Sequence, residues 1–113
     1  LVVNTIDVRK LIRFSTDEGR LDTMEKRRAV KRDLLRTDYF NIVLVCLEEG
    51  QEIPARPEPY EVCFYVIEGR GVFTVGEKRV SLDEGNMILV PADIARGIRA
   101  EERMSILGIQ QPH

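Results

Sequence analysis

From residue 40 onward the chain is cut into short apolar runs separated by turn residues, and this rhythm limits the fold more than any other feature. The runs are Phe40–Leu47, Val62–Ile67, Gly71–Val75, Val80–Leu82, Met87–Val90 and Met104–Ile109. They are rich in Val, Ile, Phe and Tyr, residues that suit a pleated and half-buried surface. Between them stand Glu49-Gly50, the stretch from Pro54 to Pro59, Glu68-Gly69, Gly76-Glu77, Asp83-Glu84-Gly85 and the stretch from Pro91 to Gly97. Short strands with turn signals every 8–12 residues or so predict an all-β sandwich or barrel. Pro54, Pro57 and Pro59 supply no ladder donor and keep residues 54–59 out of any central strand.

The first 39 residues are less regular. Scattered apolar residues between Val2 and Phe14 suggest a short strand followed by a turn of helix. Ser15–Asp22, with Gly19, reads as a loop. Asp22 and Glu25 have the spacing of a helix-start box. Met24–Leu35 fits neither period cleanly; it reads as a strand because Arg36–Asp38 then makes a hairpin into the next run. The division is therefore an extension, residues 1–39, packing on the barrel or on a dimer partner, and a barrel, residues 40–113. Two strands are apolar on both faces: Ile42, Leu44, Cys46 against Val43, Val45, Leu47, and Val62, Phe64, Val66 against Cys63, Tyr65, Ile67. One face can line a barrel and the other also needs cover. A second copy is the expected cover, giving a homodimer; the alternative is that the N-terminal 40 residues fold back over it.

Composition removes other classes. A chain of 113 residues, 43% apolar and 32% charged, suits one globular domain. No apolar run approaches about 18 residues, so no membrane span is expected, and no signal peptide is evident. The net charge is −2, split as +3 over residues 1–40 and −5 over residues 41–113. The basic cluster of Lys26, Arg27, Arg28, Lys31, Arg32 and Arg36 alternates with Glu25, Asp33 and Asp38, which reads as a solvated face and not as a nucleic-acid surface. Cys46 and Cys63 form no C-x-x-C motif. They read as free thiols of a reducing cytoplasm, with a bond between neighbouring strands left open. The one histidine, His113, is the last residue, which removes triads, His-ligated zinc and imidazole bases.

The spacing of glycines and proline resembles a small single-domain cupin. Gly50 and Gly69 bracket the first motif, whose ending matches Tyr65-Val66-Ile67-Glu68-Gly69, with Gly71 following. Gly85 and Pro91 have the spacing of the second motif, and Val80 to Gly85 is similar to the hairpin between them. Residues 40–112 share the resemblance, which implies an all-β double-stranded β-helix, or jelly-roll barrel, carrying an N-terminal extension of strand and short helix. Gly69 and Gly85 end apolar strands at sharp turns, which favours residues tolerating φ > 0.

The resemblance also implies where a metal would sit, and there the chain departs from the family. The positions of the first two histidines are Arg56 and Glu58, that of the glutamate is Val62, and that of the third histidine is Arg96; Asp93 stands at the motif glycine and Ala100 at the asparagine. No metal or other cofactor is therefore expected. Three readings of Arg56, Glu58 and Arg96 stay open. They can form ion pairs that fill a vacated site. They can bind a small carboxylate, phosphate or sugar acid over a barrel lined by Val62, Phe64 and Val66. They can leave residual metal binding through Glu58, Glu61, Cys63 or Asp93, against which Cys63 is out of phase with Val62 and should point away from the interior. The expected function is binding of a small anionic metabolite by Arg56, Glu58, Val62, Phe64 and Arg96, with no catalytic residue assigned. An enzyme, with atypical metal ligands or as a metal-independent isomerase, and a structural barrel are the alternatives.

Overall fold

The computed structural model describes residues 4–17 and 29–113. Among these residues there is one short helix, α1 (Val8–Leu11), capped by Asp7, whose carboxylate accepts from the Lys10 amide. Nine strands follow among the described residues: β1 (Val30–Arg36), β2 (Asn41–Leu47), β3 (Glu52–Arg56), β4 (Val62–Glu68), β5 (Arg70–Val75), β6 (Lys78–Asp83), β7 (Met87–Val90), β8 (Arg96–Ala100) and β9 (Met104–Gln110). They form two antiparallel sheets, one in the order β1-β2-β9-β4-β7 and one in the order β3-β8-β5-β6. The all-β jelly-roll expectation holds.

All six apolar runs read from the sequence are strands, each within a few residues of its expected bounds. Val30–Arg36 is also a strand, paired with β2 through a tight turn in which Thr37 Oγ1 accepts from the Tyr39 and Phe40 amides. Residues 24–28 of that segment, and the helix-start box at Asp22 and Glu25, lie outside the described residues. In the extension the turn of helix is present at α1, while residues 4–7 are not a strand. Two strands went unread. The first, β3, carries Pro54 and is tolerated because it lies at a sheet edge, where its register against β8 shifts between Ile53 and Arg56. The second, β8, is a polar Arg-Gly-Ile-Arg-Ala stretch that presents only Ile98 and Ala100 as apolar side chains.

Alternation along the strands fills the space between the sheets. Val45 and Leu47 of β2, Val62, Phe64 and Val66 of β4, Phe73 of β5, Val90 of β7, Ile98 of β8 and Ile106 of β9 form one buried cluster. The opposite face of the five-stranded sheet has a second cluster: Phe14 packs with Val30, Leu44, Cys46 and Ile67, and Val8, Leu11 and Ile12 pack around it. Cys46 and Cys63 are free thiols. They belong to β2 and β4, and β9 runs between those strands, so they are not on neighbouring strands. Gly69 and Gly85 adopt φ of +80° and +86°, as their turns require. At Gly69 a Cβ would also collide with the Arg103 carbonyl oxygen, so glycine lets the β4–β5 turn seat against the start of β9.

Candidate functional site

One end of the barrel opens into a cavity of about 230 Å³. Its floor is apolar, made by Val43 and Val45 of β2, Ile53 of β3, Phe64 of β4 and Ile98 of β8. Its rim is charged and polar: Lys31 and Asp33 from β1, Arg56 from the end of β3, Glu58 and Tyr60 from the following loop, and Arg96 from the start of β8. Gln110 and His113 of the last strand and its tail complete it. Of the five residues chosen from the sequence, Arg56, Glu58, Phe64 and Arg96 meet here. Val62 does not reach the wall; it is 1% exposed in the core, where it pairs with Val90 and Gln110.

The two arginines do different work. Arg96 is buried, 7% exposed, and its guanidinium donates to main-chain carbonyls. Nη1 reaches Tyr60 O at 2.6 Å; Nη2 reaches Pro91 O at 2.9 Å, Ile94 O at 3.0 Å and Glu58 O at 3.3 Å; Nε reaches Ile94 O at 3.1 Å. A guanidinium has five N–H bonds. These contacts use Nε–H, both Nη2 hydrogens and one Nη1 hydrogen, so one donor remains. Arg96 is thus a cross-link between the β3–β4 loop and the β7–β8 loop. The Asp93 amide adds a second tie, donating to Glu58 O at 2.8 Å. Asp93 has φ of +67°, the left-handed region, at the position where the family motif has glycine.

Arg56 is 74% exposed and pairs through Nε with Glu58 Oε1 at 2.7 Å; the Glu58 side chain is 24% exposed. An exposed pair of this kind contributes about 1 kcal/mol or less, so a ligand can exchange for one partner at small cost. Asp33 is paired with Arg36. Lys31 has no ion-pair partner among the described residues. The Tyr60 ring lies with its centroid 5.2 Å from the Arg96 guanidinium carbon and stacks on the His113 ring, 3.8 Å between centroids and 6° from parallel. Burial, with the Glu58 carboxylate nearby, pushes the Tyr60 phenol above its ordinary value against the pull of Arg96 and Arg56. The hydroxyl therefore keeps its proton, and can donate it in a hydrogen bond, at neutral pH and well above. Lys31, Asp33 and Gln110 were not legible as rim residues, because β1 and the chain end reach the mouth only through the strand order.

These donors do not suit a first-row transition metal. Of the four positions that the cupin motifs would use, Arg56 and Arg96 bear positive charge, Val62 is apolar and Glu58 is engaged by Arg56. Among the described residues no group of three or more His, Cys, Asp or Glu side chains lies together as a metal cluster. No helix among them is long and apolar enough to cross a membrane.

The family described as Cupin domain matches residues 43–109 of the chain. Among solved structures, an RmlC-like cupin protein from Desulfovibrio desulfuricans is 23% identical and superposes with a TM-score of 0.81, covering 98% of each chain. A protein from Thermus thermophilus is 21% identical with a TM-score of 0.82, covering 97% of this chain and 98% of its own. An uncharacterised conserved protein with a double-stranded β-helix domain from Klebsiella pneumoniae is 17% identical with a TM-score of 0.80, covering 98% of this chain and 91% of its own. At these identities the likeness is one of fold. No curated protein matches the chain.

Proposed function

The chain belongs to the cupin domain family, and from that premise we propose that its barrel mouth binds a small organic carboxylate with an apolar body. The observation that carries this reading is the two-part wall of the cavity: Val43, Val45, Ile53, Phe64 and Ile98 below, Arg56 and Lys31 above. The floor favours an alkyl or aromatic group over a polyhydroxylated sugar acid or a bare phosphate. Arg56 exchanges its Glu58 partner for the ligand carboxylate, and a planar guanidinium suits that group in a bidentate contact. Arg96 contributes fixed positive charge, one remaining N–H and the shape of the two loops. Two free thiols fit a reducing compartment such as the cytoplasm.

A series of acetate, butyrate, hexanoate and benzoate, followed by calorimetry or thermal shift, tests the proposal. Affinity should rise along the aliphatic series by about 0.8 kcal/mol for each methylene buried. Arg56→Ala should weaken the best binder about tenfold or more. Affinity that ignores tail length, or that survives Arg56→Ala unchanged, would overturn it.

We also propose a homodimer through the outer face of the five-stranded sheet. The N-terminal segment covers part of that face. Elsewhere a rung of cross-strand neighbours runs Leu35, Ile42, Ile109, Cys63, Leu89 without a charge. Leu89 is 57% exposed, and Met87 beside it 58%. An uncharged partner surface is needed to cover it. A second copy provides one by two-fold symmetry.

A further inference from the structure

We propose that the outer face of the four-stranded sheet carries a second site, separate from the mouth, which takes a phosphate group between Arg79 and Arg99. A cleft of about 200 Å³ lies there, with Val72, Thr74 and Gly97 on its floor and Pro54 and Ala55 on one side. Gly97 has no side chain, which lets β3 cross close over this face and wall the cleft on one side. A Cβ at that position would stand 2.8 Å from the Ala55 nitrogen and 2.9 Å from the Ile53 oxygen.

Two rungs place the polar groups. Glu52, Arg99, Val72 and Ser81 are successive cross-strand neighbours, as are Gly97, Thr74 and Arg79. Arg99 and Arg79 therefore stand diagonally across β5 on one face. Strand spacing of about 4.8 Å and a two-residue rise of about 6.8 Å put their Cα atoms about 12 Å apart. Two extended arginine side chains can converge over that span on one tetrahedral anion, with the Thr74 hydroxyl as a further donor.

The electrostatic contrast with the other barrel arginines carries the inference. Arg36, Arg56, Arg70 and Arg103 each have a carboxylate partner. Arg96 is held by main-chain carbonyls, and Arg32 is also engaged. Arg79 and Arg99 are exposed and, among the described residues, their side chains have no hydrogen bond, ion pair or ring contact. Glu52 is the register neighbour of Arg99, yet the two form no ion pair. Two unneutralised guanidiniums around a hydroxyl-bearing cleft suit the spread charge and several acceptors of a phosphate better than a monocarboxylate.

Amide chemical shifts during titration with inorganic phosphate, and in parallel with glycerol phosphate, test the site and distinguish free phosphate from a phosphomonoester as its source. The expected result is saturable movement of the Val72, Thr74, Gly97 and Arg99 amides by at least one of the two probes. The Arg79→Ala/Arg99→Ala double variant should weaken it at least about tenfold, while Arg56→Ala leaves it intact. Movement by neither probe, movement that never saturates, movement that survives the double variant, or movement lost in Arg56→Ala would overturn the proposal. Should the double variant lose its dispersed spectrum, Glu52→Gln carries the test: removing the carboxylate beside Arg99 must tighten phosphate, and unchanged or weaker binding refutes the site. Failure of carboxylate binding at the mouth would leave these shifts untouched.

Discussion

At the scale of single residues, Asp93 joins a family spacing to a backbone demand. The alignment of Gly85 and Pro91 puts Asp93 where the motif has glycine, and the chain there adopts φ of +67°. Asp tolerates this conformation better than most residues, and its amide ties the loop to Glu58 O. Asp93→Val should therefore cost about 1–2 kcal/mol in urea denaturation, while Asp93→Gly should stay within about 1 kcal/mol of the parent. Arg96 shows the limit of reading residues alone. Its place at the mouth followed from motif spacing. Its occupation by four carbonyls did not, because main-chain acceptors from two loops leave no trace in residue type.

At the scale of elements, the strands that were legible are those whose apolar runs are continuous. The edge strand β3 and the polar strand β8 escaped because their pairing, and not their composition, makes them strands. Packing of the N-terminal segment on the barrel was one of the expectations, but the contacts that hold it were not legible, since its partners are distant in the chain. Arg103 gathers Glu48 at 2.9 Å and Asp17 at 3.4 Å, and its guanidinium carbon lies 3.8 Å from the Phe14 ring centroid. Thr16 Oγ1 donates to Glu48 at 2.6 Å, and Gln51 Nε2 donates to Ser15 at 3.0 Å. The Phe14 amide, helped by Arg103, holds the Asp17 carboxyl below its ordinary value despite some desolvation. Burial alone would raise the Glu48 carboxyl, but hydrogen bonds from Arg103 and Thr16 outweigh it and hold it low. Carboxyls depressed in the folded state contribute stability that is present above the ordinary carboxylate range and lost as pH falls through the lowered values. Amide exchange at Phe14–Asp17 should accordingly speed up as pH drops below about 4, after correction for intrinsic rates. In Arg103→Ala it should be fast at neutral pH too, with global stability changed by about 1 kcal/mol or less. Equal protection in parent and variant would show that the segment is held by Phe14 packing alone.

At the scale of the whole molecule, the two sheets face different tasks. The four-stranded sheet shows water a polar outer surface. The five-stranded sheet has apolar side chains on both faces, and the sequence showed this directly in β2 and β4. It could not show how the cover is shared: Phe14 and its neighbours take the region of Leu44 and Cys46, leaving the rung that ends at Leu89 exposed. Light scattering after size exclusion should find a dimer for the parent chain. Leu89→Lys should move it to a monomer with an unchanged circular dichroism spectrum. A parent that is monomeric at about 100 μM, a concentration at which a dimer with micromolar Kd is mostly formed, would dismiss the pairing.

The Arg96 cross-link has one more consequence, for handling and for design. Its fastener is a side chain of the protein itself, held by hydrogen bonds, and contains no exchangeable ion. A chelating buffer has nothing in this cross-link to remove. Loop redesign around this barrel can therefore treat residues 58–60 and 91–94 as a frame already closed. The rim positions Lys31, Asp33 and Arg56 are then free to be varied for a chosen guest.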